Sequence, residues 1–226
     1  MDQNTLRIIF YAVLLAGIIL RIIAMGIFLS VRNVTMPINI RQVYDILSRE
    51  EKSLYLPEVI FKAGRSIFYA YSEPLNIQTN EMTMKCGEDS VRIYDAATLT
   101  QRFFLFRSAS IKRAHFNFSR IMSFFIGLFS VVSLFIVSLG SNLSDMALMQ
   151  NGMMIYLVTV LCSIVTSDFD IFASLDAVRY IENNRALFSV NHYYAKRVLY
   201  GHILHKLSRA HAVFLLPAGV IIGLFL

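Results

Sequence analysis

Charged residues are scarce in this chain: Asp, Glu, Lys and Arg make up 16% of its 226 residues, and hydrophobic residues make up 56%. This balance excludes an ordinary soluble domain, in which about a quarter of the residues are charged, and indicates a protein of the lipid bilayer. Cysteine is also scarce. Cys86 and Cys162 cannot form a framework of disulfide bridges, so they fit a reducing compartment, and we expect both thiols to be inert.

The short motifs of several functional classes are missing as well. The chain has no phosphate-binding loop, no dinucleotide fingerprint and no Gly-x-Ser-x-Gly elbow, which leaves nucleotide-driven transport and serine hydrolysis without support. It has no internal repeat, low-complexity tract or Gly/Ser linker. The net charge of +6 lies in segments that flank the apolar runs, so it indicates membrane topology rather than nucleic-acid binding.

Apolar runs predict the membrane spans. Residues 6–30 are almost continuously apolar apart from Arg7 near their start and Arg21, residues 121–140 carry no charge, and residues 153–166 continue the pattern. A helix of about 20 such residues crosses a bilayer. Residues 212–226 form a shorter run, which we interpret as a fourth membrane segment. The first run lacks the basic stretch and cleavage site of a signal peptide, so we interpret it as an anchor.

The distribution of lysine and arginine predicts the orientation. Residues 31–120 hold thirteen of them and residues 175–211 hold six, whereas the loop at residues 141–152 has none. Because basic residues collect on the cytoplasmic side, we place the two basic segments in the cytoplasm and the loop and both chain ends outside.

These observations predict a mainly α, polytopic membrane protein with 3–4 transmembrane helices and a small α+β cytoplasmic domain. We expect residues 1–30 to form a membrane anchor and residues 31–120 to form the cytoplasmic helical and hairpin domain, which leads into the second span. Residues 121–226 then hold the paired membrane helices, a basic amphipathic helix and the C-terminal membrane segment.

Local signals predict the elements of the cytoplasmic domain. Asn39 is a good N-cap for a helix over residues 40–54, and Pro57 is a good first residue for a second helix. Alternating apolar and polar residues on both sides of a turn at residues 87–90 predict a short hairpin. Asp95 predicts the start of a long helix that runs into the second span without a break. This helix is amphipathic, with Phe103 and Phe106 on its apolar side and Arg102 on its charged side.

A basic amphipathic helix is predicted over residues 194–209. Its charged side carries Lys196, Arg197, Lys206 and Arg209. Such helices commonly lie along an anionic membrane surface, but a solvated basic face fits the pattern equally well. His202 and His205 lie on the same helix without Cys or Glu at ligand spacing, so we expect interfacial or hydrogen-bonding histidines rather than metal ligands.

Four short motifs, in this order along the chain, resemble the neutral zinc metallopeptidase family of bacterial membranes. They are VRI at residues 91–93, GSNLS at residues 140–144, TSDFDIFASLDAV at residues 166–178 and AKRVL at residues 195–199. The corresponding family motifs are VRL, GSNLS, TLPVEFDAS followed by AL, and AKKVL. The resemblance covers most of the chain and implies the family's fold in a bacterial inner membrane. It places Asp170 where the family has the glutamate that is its third metal ligand.

The family's zinc chemistry needs the motif HExxH, and this motif occurs nowhere in the 226 residues. The resemblance places the zinc-binding turn at residues 112–116. There, Lys112 and Arg113 would repel a dication, and His115 alone cannot rebuild a site that normally has three protein ligands. We call Lys112, Arg113, His115 and Asp170 the degenerate metal site, and we expect it to hold no metal or other cofactor.

The resemblance and the missing motif together predict a catalytically silent relative of a membrane zinc peptidase. Such a protein would act as a structural or regulatory subunit of a membrane complex, with the lipid bilayer and other membrane proteins as partners, in a homo-oligomer or hetero-oligomer, and no nucleic acid. The alternative is an active peptidase whose metal is held by a rearranged set such as His115 and Asp170 with a ligand from a partner. A small transporter is a third interpretation, which the lack of charge inside the second and third spans disfavours.

Two carboxylates, Asp168 and Asp170, follow directly after the third apolar run. An ionisable group at membrane depth is costly and therefore points to a function, whereas one beyond the span faces water at little cost. If Asp170 is a relic of the metal site, Arg113 or Lys112 is its natural ion-pair partner. Both interpretations are open at the level of the sequence.

We expect cysteine substitution to test the orientation. A cysteine introduced at Asn151 should react with a membrane-impermeant maleimide from outside, because the loop that contains this residue lacks lysine and arginine. A cysteine at Glu88 should react only after the membrane is opened. Labelling of the Asn151 position solely from the cytoplasmic side would reverse the assignment.

Overall fold

The computed structural model of the protein describes residues 3–50, 56–62, 75, 77–84, 86–188 and 191–208. As the sequence predicts, these residues form mainly α-helix with one small sheet. In chain order the elements are α1 (Gln3–Val31), α2 (Ile40–Glu50), β1 (Glu58–Phe61), β2 (Glu81–Met84), α3 (Ile93–Ile111), α4 (Arg113–Asn142), α5 (Met146–Thr166), α6 (Asp168–Asn183), α7 (Arg185–Phe188) and α8 (His192–Leu207).

Three helices of the described part are long and apolar enough to cross a membrane. The three spans are Asn4–Val31, Arg113–Asn142 and Met146–Thr166. They agree with the three predicted spans but are longer. The predicted loop at residues 141–152 is correspondingly shorter, because α5 already begins at Met146. The predicted fourth segment, residues 212–226, lies outside the described residues.

Helix α4 is longer than a bilayer core requires. Its 30 residues measure about 45 Å at 1.5 Å per residue, whereas the hydrocarbon core is about 30 Å thick. Its uncharged apolar run begins at Ile121, and Arg113 and Arg120 precede that run. The first two turns of α4 are therefore best accommodated outside the hydrocarbon.

The chain divides into two compact units. Unit 1 comprises Met1–Ile23, Asn117–Asp168 and Leu204–Leu226, and unit 2 comprises Ala24–Phe116 and Phe169–Ile203. In unit 1, residues of α1, α4 and α5 form one apolar core, with Leu6, Phe10, Ile126, Met153, Tyr156 and Val160 buried in it. The rings of Phe10 and Tyr156 meet edge to face, with 5.2 Å between their centroids.

A tight turn joins α4 to α5 in unit 1. Asp145 caps α5, since its Oδ1 accepts hydrogen bonds from the backbone N–H groups of Ala147 and Leu148, both at 3.0 Å. Its own backbone N–H donates to the carbonyl of Gly140 at 2.8 Å. This single aspartate therefore terminates one membrane helix and starts the next.

The backbones of α4 and α5 approach each other closely at Gly152. A Cβ atom at this position would lie 2.8 Å from the backbone nitrogen of Val137 and 3.0 Å from the carbonyl oxygen of Ser133. Small residues permit such close packing of helices in membranes. Gly127 on α4 is different, because a Cβ atom there would meet nothing within 4 Å.

Helix α3 lies at the centre of unit 2. Every residue of α3 from Ile93 to Phe106 is buried, the polar ones included. Arg102, which the amphipathic pattern places on the charged side of the helix, is 5% exposed, and its guanidinium donates a hydrogen bond to the carbonyl of Thr83 on β2. The expected polar face of α3 is therefore absent, because other elements cover the helix on all sides.

The sheet differs from the predicted hairpin. β1 and β2 are parallel, with Glu58 opposite Glu81 and Phe61 opposite Met84. The segment after the turn at residues 87–90 pairs elsewhere: the backbone N–H of Met36 donates to the carbonyl of Val91 at 2.7 Å, and that of Ile93 donates to Val34 at 2.9 Å. The hairpin prediction is wrong because alternation identifies strand-like residues but not their pairing partner.

The predicted helix that starts at Pro57 is also corrected. Its described beginning is the strand β1, in which Val59, Ile60 and Phe61 are half-buried. Such β-branched and aromatic residues fit a pleated surface, and this preference prevails over the helical spacing. The remainder of the predicted helix, residues 63–74, lies outside the described residues.

The predicted cap of α2 is confirmed. The Asn39 side chain accepts from the backbone N–H of Gln42 at 2.9 Å, and the Gln42 side chain accepts from the backbone N–H of Asn39 at 3.0 Å. This reciprocal arrangement is a capping box. Helix α3 begins at Ile93, two residues before the predicted cap Asp95. Asp95 instead binds the guanidinium of Arg92 at 2.8 Å.

We expect Gly152→Ala to destabilise unit 1 by about 1–3 kcal/mol, because the added methyl group collides with the backbone of α4. The matched substitution Gly127→Ala introduces the same methyl group where space is open, and it should leave stability unchanged or slightly higher. Thermal unfolding of the two purified variants in detergent measures the difference. Equal unfolding temperatures would contradict the close approach at Gly152.

Candidate functional site

The turn at which the resemblance places zinc binding lies at a break between two helices. α3 ends at Ile111, and Lys112 follows with φ −112° and ψ 49°, outside the α region. α4 then begins at Arg113. The predicted continuous helix from Asp95 into the second span is therefore wrong, since an amphipathic pattern does not show where a helix changes direction.

His115 and Phe116 of α4 both contact Phe169 of α6. The ring centroids of His115 and Phe169 are 5.1 Å apart, and those of Phe116 and Phe169 are 5.5 Å apart, both pairs edge to face. Aromatic pairs of this geometry contribute about 0.5–1.5 kcal/mol beyond the burial of their surface. Phe116 and Phe169 are buried, whereas Lys112, Arg113 and His115 are exposed. Within unit 2, aromatic contacts thus hold the start of α4 against the start of α6.

Asp168 and Asp170 both lie in the first turn of α6 and are half-buried. A carboxylate in this position faces unpaired backbone N–H groups and the positive end of the helix dipole, an interaction worth about 0.3–1 kcal/mol. This interaction with the start of α6 therefore explains why two aspartates follow the third apolar run. The ion pair of Asp170 with Lys112 or Arg113 stays a prediction.

A buried polar cluster in unit 2 surrounds His202 of α8. Its Nε2 lies 3.0 Å from the hydroxyl oxygen of Thr98, and this hydroxyl donates to the carbonyl of Tyr94 at 2.8 Å. Because the only hydroxyl proton is used in that bond, the hydroxyl accepts from His202, and the imidazole carries its proton on Nε2. The imidazole packs against the rings of both Phe28 and Tyr94, with centroids at 5.1 and 5.8 Å, and these two rings also contact each other at 5.6 Å. Burial raises the pKa of the Tyr94 phenol.

Of the two roles expected for His202, the hydrogen-bonding one is confirmed and the interfacial one is not, because the residue is fully buried and contacts Thr98. The signal that reveals its burial is the spacing of apolar residues on α8. Ala195, Val198 and Leu199 are buried, and His202 follows them at the next position of the same helical face. The neighbouring Gly201 belongs to the same contact, since a Cβ atom there would lie 2.7 Å from the ring of Phe28.

Two of the basic side chains of α8 contact other side chains of the protein, so the basic side is only partly available to bind a membrane surface. In unit 2, Lys196 pairs with Glu182 at 3.0 Å, and the guanidinium of Arg197 lies over the ring of Tyr193 at 5.8 Å. In unit 1, the half-buried Lys206 lies in the last turn of α8. The fourth predicted residue, Arg209, lies outside the described residues.

Arg21, a charged residue in the interior of the first span, approaches His205 in unit 1. The guanidinium Nη1 of Arg21 lies 3.3 Å from Nε2 of His205. A charge at membrane depth needs polar partners of this kind. His205 therefore contacts a side chain of α1. The basic amphipathic pattern of α8 does not predict this contact.

Cys86 fits the expectation of an inert thiol. Cys86 is buried, and burial raises the pKa of its thiol to about 12, so little thiolate is available at neutral pH.

Within the part of the chain that the structure describes, no group of three or more His, Cys, Asp and Glu side chains is arranged to hold a metal ion. Comparison of the chain with models of protein families, with curated proteins and with solved structures finds no match.

Thr98→Val tests the buried cluster. The substitution removes the acceptor of the His202 N–H and should lower the free energy of unfolding by about 1–3 kcal/mol. Thr100→Val is the matched control on the same helix, because the buried Thr100 hydroxyl bonds only to the carbonyl of Ala96, at 2.9 Å. We expect thermal unfolding to show a clearly larger loss for Thr98→Val. Equal losses would contradict a hydrogen bond between Thr98 and His202.

Proposed function

We propose that this membrane protein is a catalytically silent relative of a membrane zinc metallopeptidase, which acts as a structural or regulatory subunit of a membrane protein complex. The proposal rests on the resemblance of its motifs to that family, on the missing HExxH, and on the surroundings of His115. We further propose that it resides in a bacterial inner membrane, with unit 2 on the cytoplasmic side.

The contact between His115 and Phe169 is the observation that supports this function best. In a zinc peptidase the corresponding turn would present two imidazoles to a metal ion and a glutamate as the general base for its bound water. Here the only imidazole of the turn packs edge to face against a phenylalanine ring, at 5.1 Å between centroids. The turn therefore contributes to the packing of α4 against α6, which is a structural role.

The exposed charges of the turn support the same proposal. Lys112 and Arg113 are exposed and stand where the resemblance places a metal ligand and the general base. Two cationic side chains raise the electrostatic potential of the turn, and a divalent cation is repelled from such a potential. Neither residue supplies the carboxylate that activates the bound water molecule in the family motif, since lysine and arginine side chains act as hydrogen-bond donors.

We expect the full-length protein, purified in mild detergent after growth with added zinc, to contain far less than one zinc ion per chain. Elemental analysis measures this quantity. A peptidase assay with unfolded casein should show no cleavage above that of a preparation from cells without the protein. One equivalent of zinc that is lost on His115→Ala would favour the alternative, an active peptidase with a rearranged metal site.

The role as a subunit calls for a second experiment. We expect a tagged chain expressed at its natural level, and solubilised from native membranes, to co-purify with at least one membrane protein in constant ratio. Phe169→Ala should lower the recovery of that partner if the packing of α4 against α6 shapes the binding surface. Recovery of the chain alone, at a mass of one copy, would overturn the proposal of a complex.

A further inference from the structure

A groove of about 420 Å³ lies between α3 and α6 in unit 2. Arg107 and Ser108 line it from α3, and Arg179 and Asn183 line it from α6. Two guanidinium groups on facing helices thus share one groove with a hydroxyl and an amide. None of these four residues belongs to the degenerate metal site.

The charges of the groove favour an anion. Among the residues that the structure describes, two arginines and one carboxylate, Asp176, line the groove, so the formal charges of these three side chains, +2 and −1, sum to +1. Asp176 binds Arg179 at 3.3 Å, but their side chains are 43% and 76% exposed. Exposed ion pairs of this kind are weak. A ligand with greater negative charge than a carboxylate can therefore draw Arg179 away from Asp176.

The hydrogen-bonding groups of the groove restrict the choice of anion. The guanidinium of arginine presents a planar set of N–H donors that matches two oxygens of a phosphate. Ser108 and Asn183 add a hydroxyl and an amide that can donate to further oxygens. Tyr180 contributes its ring alone, since its hydroxyl proton is donated to Glu50 at 2.6 Å. Arginines on two helices with neutral donors between them suit the several oxygens of a phosphate group.

The position of the groove along the chain favours an organic phosphate near a membrane surface. Ile111 lines the groove and is 64% exposed, which offers an apolar contact beside the charged groups. It stands ten residues before Ile121 in the sequence, where the uncharged run of α4 begins. Phosphate groups of anionic lipids lie at such a boundary, and they attract basic side chains.

We propose that this groove binds the phosphate group of an organic phosphate, either the headgroup of an anionic phospholipid or a soluble phosphate ester. Arg107 and Arg179 bind the phosphate oxygens, and Ser108 and Asn183 donate to the oxygens that remain. Asp176 competes with the ligand for Arg179 and so weakens its binding. This inference goes beyond the proposed role as a subunit and does not depend on it.

Calorimetric titration of the full-length protein in a non-ionic detergent tests the proposal. The lipid probe is dioctanoyl phosphatidylglycerol, with dioctanoylglycerol as its phosphate-free counterpart. The soluble probe is glycerol 3-phosphate, with glycerol as its counterpart. Binding of phosphatidylglycerol alone identifies a lipid headgroup as the ligand, and binding of glycerol 3-phosphate identifies a soluble ester or the phosphate group itself. Binding of neither probe, or equal binding of a probe and its phosphate-free counterpart, overturns the proposal.

Three substitutions assign the binding to this groove. Arg179→Gln should weaken binding at least about tenfold, which corresponds to about 1.4 kcal/mol. Its side chain is largely exposed, so the fold should tolerate the change. Arg107→Gln should have an effect of the same size. Asp176→Asn should have the opposite effect and tighten binding several-fold, because it removes the competing carboxylate and releases Arg179.

Arg41→Gln is the matched control, since it removes one positive charge from an exposed arginine of α2, whose partners are Asp45 and Glu88. Its affinity for the probe should stay within about twofold of that of the unchanged protein, below the 1.4 kcal/mol that marks a tenfold effect. The thermal unfolding temperature of each variant shows whether it is folded. A loss for Arg41→Gln equal to that for Arg179→Gln, or unchanged affinity of Asp176→Asn, would show general charge attraction and overturn the assignment to this groove.

Discussion

The burial of polar side chains on α3 is the constraint on which the rest of unit 2 depends. A buried polar group that lacks a hydrogen bond costs about 1–3 kcal/mol, so a partner on the neighbouring backbone or on another element stabilises the buried helix. Asp95 binds Arg92 at the start of the helix, Thr98 accepts from His202 on α8, and Arg102 donates to the carbonyl of Thr83 on β2. These bonds determine where α8 and β2 lie around α3. Apolar packing alone would permit several positions.

After the break at Lys112, α4 starts as a separate helix, and its first turn packs within unit 2. The sequence motifs do not predict this packing. In a family of zinc peptidases this turn would be devoted to a metal ion. Here Phe116 is buried against Phe169, and the charged residues of the turn point outward. If the relationship that we propose is correct, aromatic packing has taken the place of a metal bridge between α4 and α6. Such packing can hold α4 against α6 without a metal ion, because it adds apolar contacts at the same junction.

The groove and the aromatic junction lie at different positions along α6, and each involves a different second helix. The junction involves the first turns of α4 and α6, whereas the groove is lined by the last turn of α3 and the later turns of α6. Arginine is common to both places, but only the groove combines two arginines with neutral donors. A silent peptidase relative that recognises an organic phosphate would thus use a surface distinct from the degenerate metal site.

The sequence by itself determined the features that depend on neighbouring residues. Hydropathy alone identified three spans, because burial in lipid depends on the apolar length of one segment, and Asn39 was identified as a cap because its bonds reach only to Gln42. Tertiary structure decided the parallel pairing of β1 with β2, the burial of Arg102 and the break at Lys112. It also decided the burial of His202, whose partner Thr98 is 104 positions away in the chain. Each of these features depends on a contact with a distant segment, and the local pattern of residues does not encode which segment that will be.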